Sequence, residues 1–291
     1  MFGGKSLINI FKGHGHAFGA ISVINALATG TGAAIGLKDL FTDVIINLKE
    51  NKPLLAPSHA VQIAIKKTLT YIGEQKPLGG IVTVGSNIPI AFGLKSSSAV
   101  INAAVLATVN AANVQLSVKQ ILDISTSAAI QAKISVTGAL DDATASLLGG
   151  FCITNNTQNL VLLHQPVPFE IIVLIFIPGK FKARKTVNFY EEITNFQQNA
   201  LEMQEIIKKA KTDFLTAMTQ NGFLVARSFE YDTTPMDIAL KNKALAASVS
   251  GTGPAIAALC HKKDEPNIIK AWDGLDPSLI LKSRVSCIRL L

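Results

Sequence analysis

Three serines in a row, Ser96, Ser97 and Ser98, follow Pro89, Gly93, Leu94 and Lys95 and precede an alanine-rich run that begins at Ala99. This order suits an anion. The apolar residues 79–84 read as a strand that ends in the polar turn Ser86-Asn87. Pro89 has no N–H for sheet pairing, and Gly93 can take backbone angles closed to other residues. Any of the serines can cap the helix that follows. A helix start offers free N–H groups and the positive end of its dipole, both suited to phosphate. The hydroxyls can add hydrogen bonds to phosphate oxygens, or one can ligate Mg²⁺. The stretch is therefore expected to cradle the phosphates of a nucleotide. It is not the common P-loop, which requires Gly-x-x-x-x-Gly-Lys-Ser/Thr.

A second candidate is the carboxylate pair Asp141 and Asp142, behind Thr137-Gly138-Ala139-Leu140 and ahead of a small-residue run closed by Gly149-Gly150. Neighbouring side chains on a helix point about 100° apart, so the two need not share a task. One could serve as a base or metal ligand while the other caps a helix over residues 143–148. A third stretch, Ser248-Val249-Ser250-Gly251-Thr252-Gly253-Pro254-Ala255, reads as a strand running into a Gly-Thr-Gly turn. Pro254 would open the next helix there.

The pattern Pro-x-x-x-Gly-Leu-x-Ser-Ser-Ser-Ala over residues 89–99 resembles the central motif of the GHMP kinases: galactokinase, homoserine kinase, mevalonate kinase and relatives. Most of them carry a small residue, usually Gly, where Lys95 stands. The lysine form, the Thr-Gly-Ala-Leu-Asp-Asp-Ala stretch and the Ser-Gly-Thr-Gly-Pro-Ala stretch are most similar to the archaeal type of shikimate kinase. Residues 23–37 are similar to that family's first motif, and residues 217–222 add a short match. A departure lies upstream, where Gly13-His14 stands in place of the family's Gly-Lys.

The resemblance implies an α+β, two-domain GHMP kinase fold, with a ribosomal-protein-S5-domain-2-like half over 1–150 and a ferredoxin-like half over 151–291. It implies an enzyme that phosphorylates shikimate from ATP with Mg²⁺. Pro89, Gly93, Leu94, Lys95, Ser96, Ser97, Ser98 and Ala99 would hold the ATP phosphates, with Ser97 approaching the metal. Lys95 would add charge near the β- and γ-phosphates or point to solvent. A gapless count back from Gly149-Gly150 makes Asp142 the base, and a single gap would make it Asp141. Asn25, Thr29, Gly251, Thr252 and Gly253 would line the substrate pocket. A substrate carboxylate is best met by Arg or Lys, for which Arg184, Lys185 and Arg227 are candidates. Arg184 follows a strand and could overhang the cleft. The competing readings are a kinase for homoserine or mevalonate, and a catalytically silent metabolite-binding protein on the same fold.

The composition agrees with a soluble, well-packed chain. Of 291 residues, 48% are hydrophobic and 16% charged, with a net charge of +7 and a pI near 9.3. Such a chain can bury a large core and is not disordered. The basic residues are scattered, with no aromatic-and-basic stripe for nucleic acid, and suit anionic metabolites. Cys152, Cys260 and Cys287 lie far apart without metal-ligand spacing, which fits a reducing cytoplasm. Residues 17–37 and 96–118 lack charge, but their Ser, Thr, Asn and Gln residues argue against a membrane span. The N-terminus lacks a compact apolar signal region, so a cytoplasmic protein is expected. His14 and His16 could be ligands, but no acidic or cysteine partner stands near them in sequence.

Elements to position these groups follow from periodicity. Strands are expected at 44–48, 151–154, 161–163 and 171–177. Helices are expected at 58–70, at 118–130 opened by Ser117, near 191–210 and at 213–221. A strand at 247–250, a helix after Pro254 and a closing strand at 285–290 complete the chain. The alternation lacks a strict βαβ rhythm, which indicates α+β with a boundary near residue 150.

Overall fold

A computed structural model describes residues 11–135, 137–168, 170–179, 193–275 and 277–287. Two sheets form its frame. The first is built on a hairpin of β1 (Phe11–Ile24) and β2 (Thr31–Glu50), joined by the turn at residues 25–30. From Leu40 to Leu48, β2 alternates buried and partly exposed side chains, as a sheet with one solvated face requires. From Gly32 to Leu37 it is buried on both faces. β4 (Leu78–Ser86) pairs along the end of β2, and β3 (Leu54–Leu55) lies parallel to β4. β5 (Phe151–Asn155) pairs with the start of β2, and β6 (Leu160–Gln165) follows it.

Four helices belong to this half: α1 (His59–Tyr71), α2 (Ser96–Ala112), α3 (Val118–Gln131) and α4 (Leu140–Leu148). Ser58 caps α1, and Ser117 with Gln120 forms a reciprocal capping box on α3. α2 is apolar around nearly all its circumference and packs against β1. Gly13 and Gly15 permit that approach: a Cβ on either would fall about 2 Å from the carbonyl oxygen of Ala107 or Ala103.

The second sheet has the order β10-β7-β9-β8, all antiparallel. β7 (Ile171–Pro178) is the apolar run of the sequence, buried between β10 (Pro277–Arg284) and β9 (Ile256–His261), with β8 (Ala246–Val249) at the far edge. Around it lie α5 (residues 193–197), α6 (Ala200–Ala210), α7 (Phe214–Ser228), α8 (Thr234–Lys241) and α9 (Glu265–Asp273). One buried apolar cluster runs through both halves. Sheet membership changes after residue 165, because residues 151–165 complete the first sheet.

Three expectations are corrected. No helix follows Pro254; residues 256–261 form β9, hydrogen-bonded to β7 on one side and β8 on the other. Such a short run, apolar up to His261, has no periodicity to separate strand from helix, and the two flanking strands decide it. The closing strand is residues 277–284 rather than 285–290, with Val285 making a single bridge to Leu37; residues 288–290 lie outside the described residues. His14 and His16 do have an acidic neighbour: both reach Asp43 Oδ1, at 2.8 and 2.9 Å, because the hairpin register sets Asp43 opposite His16. Among the described residues no helix is long and apolar enough to cross a membrane.

Candidate active site

The turn before α2 opens onto a cavity of about 650 Å³ whose wall takes in Gly93, Leu94, Lys95, Ser96, Ser97 and Ser98. None of the serines caps the helix. The N-cap is Lys95, left-handed at φ 63°, with no side-chain cap hydrogen bond. The serines form the first turn instead, so the N–H groups of that turn keep their capacity for a ligand. Gly93 is also left-handed, at φ 79°, and a Cβ on it would sit 2.0 Å from the Ser250 carbonyl oxygen. The Ser250 hydroxyl donates to Gly93 O at 2.8 Å and accepts from Ser22 N–H at 3.2 Å. Ala20 N–H donates to Leu94 O at 3.2 Å and Ala255 N–H to Phe92 O at 3.3 Å. The loop is thereby tied to β1 and to the turn between β8 and β9.

Asp141 and Asp142 lie in the first turn of α4, whose N-cap is Ala139, so neither acid caps the helix. They diverge as adjacent helical residues must. Asp141 is buried, and its Oδ1 accepts from Asn156 Nδ2 at 2.8 Å. Asp142 faces Lys95, with Oδ1 2.9 Å from Nζ. This contact is an ion pair without hydrogen-bond geometry, and the buried Oδ1 has no other partner. Burial pushes the Asp142 carboxyl up to about 7; the Lys95 charge opposes this and the Asp141 charge adds to it. Lys95 needs room to reach across. A Cβ at residue 251 would lie 3.0 Å from Nζ, and Gly251 leaves that space free.

The remaining expected residues divide. Asn25, Gly251 and Thr252 stand on the cavity wall. Asn25 uses its side chain internally: Nδ2 donates to Gly251 O and Oδ1 accepts from Leu27 N–H, both at 2.9 Å. Its role is to hold the β8–β9 turn against the β1–β2 turn. Thr29, Gly253, Pro89 and Ala99 are not on the wall. Thr29 Oγ1 accepts from Thr31 N–H at 3.2 Å, which fixes its own turn. Arg227 is exposed and paired with Glu202 at 2.7 Å, away from the cavity. Arg184 and Lys185 lie outside the described residues.

Two charged or amide side chains on the wall escaped sequence reasoning. Asn156 reads as a turn residue, and only the β5–β6 connection brings it to Asp141. Lys133 follows α3 in no recognisable motif, yet it lines the cavity. Among the described residues no group of three His, Cys, Asp or Glu side chains could hold a metal ion. The cavity can therefore take an anion at the start of α2 and a proton at Asp142, but it offers no ready-made metal cage.

Comparison with known proteins gives a consistent result. The GHMP kinases N terminal domain family matches residues 59–150, and the GHMP kinases C terminal family residues 193–275. A protein named Shikimate kinase from Methanosarcina acetivorans is 36% identical over 275 residues, covering 91% of this chain and 90% of its own. One from Methanosarcina mazei is 37% identical over 274 residues, covering 90% of each. One from Pyrococcus abyssi is 33% identical over 280 residues, covering 90% of this chain and 96% of its own. Among solved structures, the Methanococcus jannaschii mevalonate kinase superposes with a TM-score of 0.71 at 17% identity, covering 97% of this chain and 99% of its own. A homoserine kinase from Cytophaga hutchinsonii gives 0.70 at 19% identity, covering 98% of each. At those identities the structures bear on the fold alone.

Proposed function

This chain belongs to the GHMP kinase family, and from that premise we propose that it transfers the γ-phosphoryl group of ATP to a hydroxyl of shikimate, giving ADP and shikimate 3-phosphate. One observation carries the reading. The uncapped first turn of α2 and the Lys95–Asp142 pair open into a single cavity, so a phosphate and a proton acceptor can meet there. The relatives named Shikimate kinase, matched over about nine-tenths of their length, supply the acceptor.

Phosphoryl transfer depends on positioning and charge neutralisation more than on covalent chemistry. In this reading the N–H groups and hydroxyls of Ser96, Ser97 and Ser98 hold the ATP phosphates. Asp142 accepts or orients the proton of the attacking hydroxyl, and Lys95 favours its ionised form and holds it in place. Asn25, Gly251 and Thr252 form the acceptor side of the wall. Arg184 and Lys185 remain the candidates for the shikimate carboxylate, and the protein works in the cytoplasm.

Magnesium fits the donor set. Its preference is for oxygen ligands, and it usually keeps several waters beside one or two protein groups and the phosphates. Ser97 Oγ and a cavity carboxylate are such groups. When bound, the ion would neutralise charge on the phosphates.

A coupled ADP-release assay across shikimate, homoserine, mevalonate and galactose tests the proposal. Shikimate should be the acceptor that supports turnover. Turnover with homoserine or mevalonate instead would reassign the acceptor, and silence across the panel with intact ATP binding would favour a sensing role.

A further inference from the structure

We propose that Lys133 is a phosphate ligand for the nucleotide, a role that rests on the ATP reading above and adds a residue from outside the three motifs. The first argument is charge. Among the described residues of the cavity wall the ionic side chains are Asp141, Asp142, Lys95 and Lys133. Lys95 is engaged by Asp142. A polyphosphate entering the cavity therefore meets one uncommitted cation, Lys133, whose side chain is exposed and makes no ion pair or hydrogen bond to the described residues.

The second argument is place. α2 and α3 are packed neighbours joined by residues 113–117 alone, so they run antiparallel. The end of α3 thus returns to the level where α2 begins. Lys133 stands just past that end and lines the same cavity as the three serines.

The third argument is the backbone. Lys133 is left-handed, at φ 57°. Its N–H donates to Ile130 O at 3.0 Å, and the Ile134 N–H donates to Ala129 O at 3.2 Å. This pair of bonds is the Schellman ending of a helix, and the left-handed position in it is ordinarily glycine. A lysine there carries a conformational cost that glycine would avoid. A cation near a helix C-terminus is favourable, but that benefit is open to neighbouring positions that need no left-handed turn. Lys243 ends α8 in the same left-handed turn away from the cavity, so this backbone fixes where Lys133 stands, and the cavity wall gives its side chain a use. Ile130 and Ile134 flank it on the same wall, 51% and 43% exposed, and offer apolar surface for the nucleoside.

The test is calorimetric titration of the whole chain with ATP, ADP and adenosine in the presence of magnesium, without acceptor. Lys133→Gly should fold at least as stably as the parent, because glycine suits the left-handed position. It should lose roughly tenfold in affinity for ATP and ADP, the scale of one charge-assisted hydrogen bond, and little for adenosine. Lys133→Arg should retain most of the affinity. Equal ATP affinity in Lys133→Gly would overturn the proposal, as would an equal loss for adenosine. A raised KM for shikimate with an unchanged KM for ATP would move Lys133 to the acceptor side and also overturn it. A parent chain that binds ATP but does not phosphorylate shikimate would sink the acceptor assignment and leave this comparison intact.

Discussion

A double-mutant cycle on Lys95 and Asp142 tests the centre of the site. The charged atoms are 2.9 Å apart and the side chains 11% and 16% exposed. At an effective dielectric constant of ~20, unit charges at that distance attract by roughly 6 kcal/mol. Solvent screening at these not fully closed positions reduces this to a coupling of about 2–3 kcal/mol, the upper end for residues in contact. Lys95→Met leaves Asp141 and Asp142 side by side with no cation against them, and Asp142→Asn leaves a nearly buried ammonium. Each should cost about 3 kcal/mol. The double variant removes both charges and should cost less than the sum by the coupling term. Urea unfolding of the four proteins, above the Asp142 carboxyl value of about 7, reads this directly. Costs that add to within ~0.5 kcal/mol would refute a coupled pair. Turnover gives a second reading of the same variants. Asp142→Asn should lose about 10² to 10⁴ in rate as a missing base, and Asp141→Asn, the matched control, should lose far less. The reverse order would move the proton to Asp141.

Three further outcomes are expected. Turnover should rise with pH through about 7 as the Asp142 carboxylate forms. Because the fold holds that carboxyl above its ordinary 3.8, the folded state binds a proton the unfolded chain has released. Stability should therefore fall as pH climbs from about 4 to about 7 and level off above, a slope absent from Asp142→Asn; a flat parent profile would contradict the burial argument. Gly93→Ala should cost at least ~1–2 kcal/mol from the left-handed backbone alone, visible as a melting temperature lowered by about 3 °C or more. It should also weaken ATP binding, because the new Cβ drives the loop off Ser250 O; an unchanged melting temperature and KM would show that the contact yields freely.

Local chemistry was readable from the sequence. The serine run, the acid pair and the Gly-Thr-Gly turn all reach one cavity, because each is a short turn whose residues carry their own conformational instructions. The expected strands at 79–84, 151–154 and 171–177 and the helices opened by Ser58 and Ser117 are present for the same reason. What stayed hidden depends on distant pairing. β9 could be told from a helix only by its two neighbours. Asp43 reaches His14 and His16 only through the register of a long hairpin. Lys95 lines the cavity beside the serines, and its pairing with Asp142, far along the chain, is one that no local pattern announces. The first turns of α2 and α4 are both uncapped by side chains, against the usual reading of Ser and Asp at a helix start, which leaves those groups for the cavity.

The Ser250 hydroxyl, held between Ser22 N–H and Gly93 O, has a consequence for how such a chain can be altered. The loop before α2 and the β8–β9 turn are not interchangeable cassettes. A phosphate loop transplanted from another chain would work here only if it brought a glycine at position 93 and a carbonyl turned toward Ser250. A transplanted β8–β9 turn would need the matching hydroxyl and an open Gly251. New acceptor preference is more readily installed at the wall residues Ala26 and Leu27, which no such bond ties to the loop. The Ser250 hydroxyl thus makes the loop before α2 and the β8–β9 turn a single unit that must be changed together.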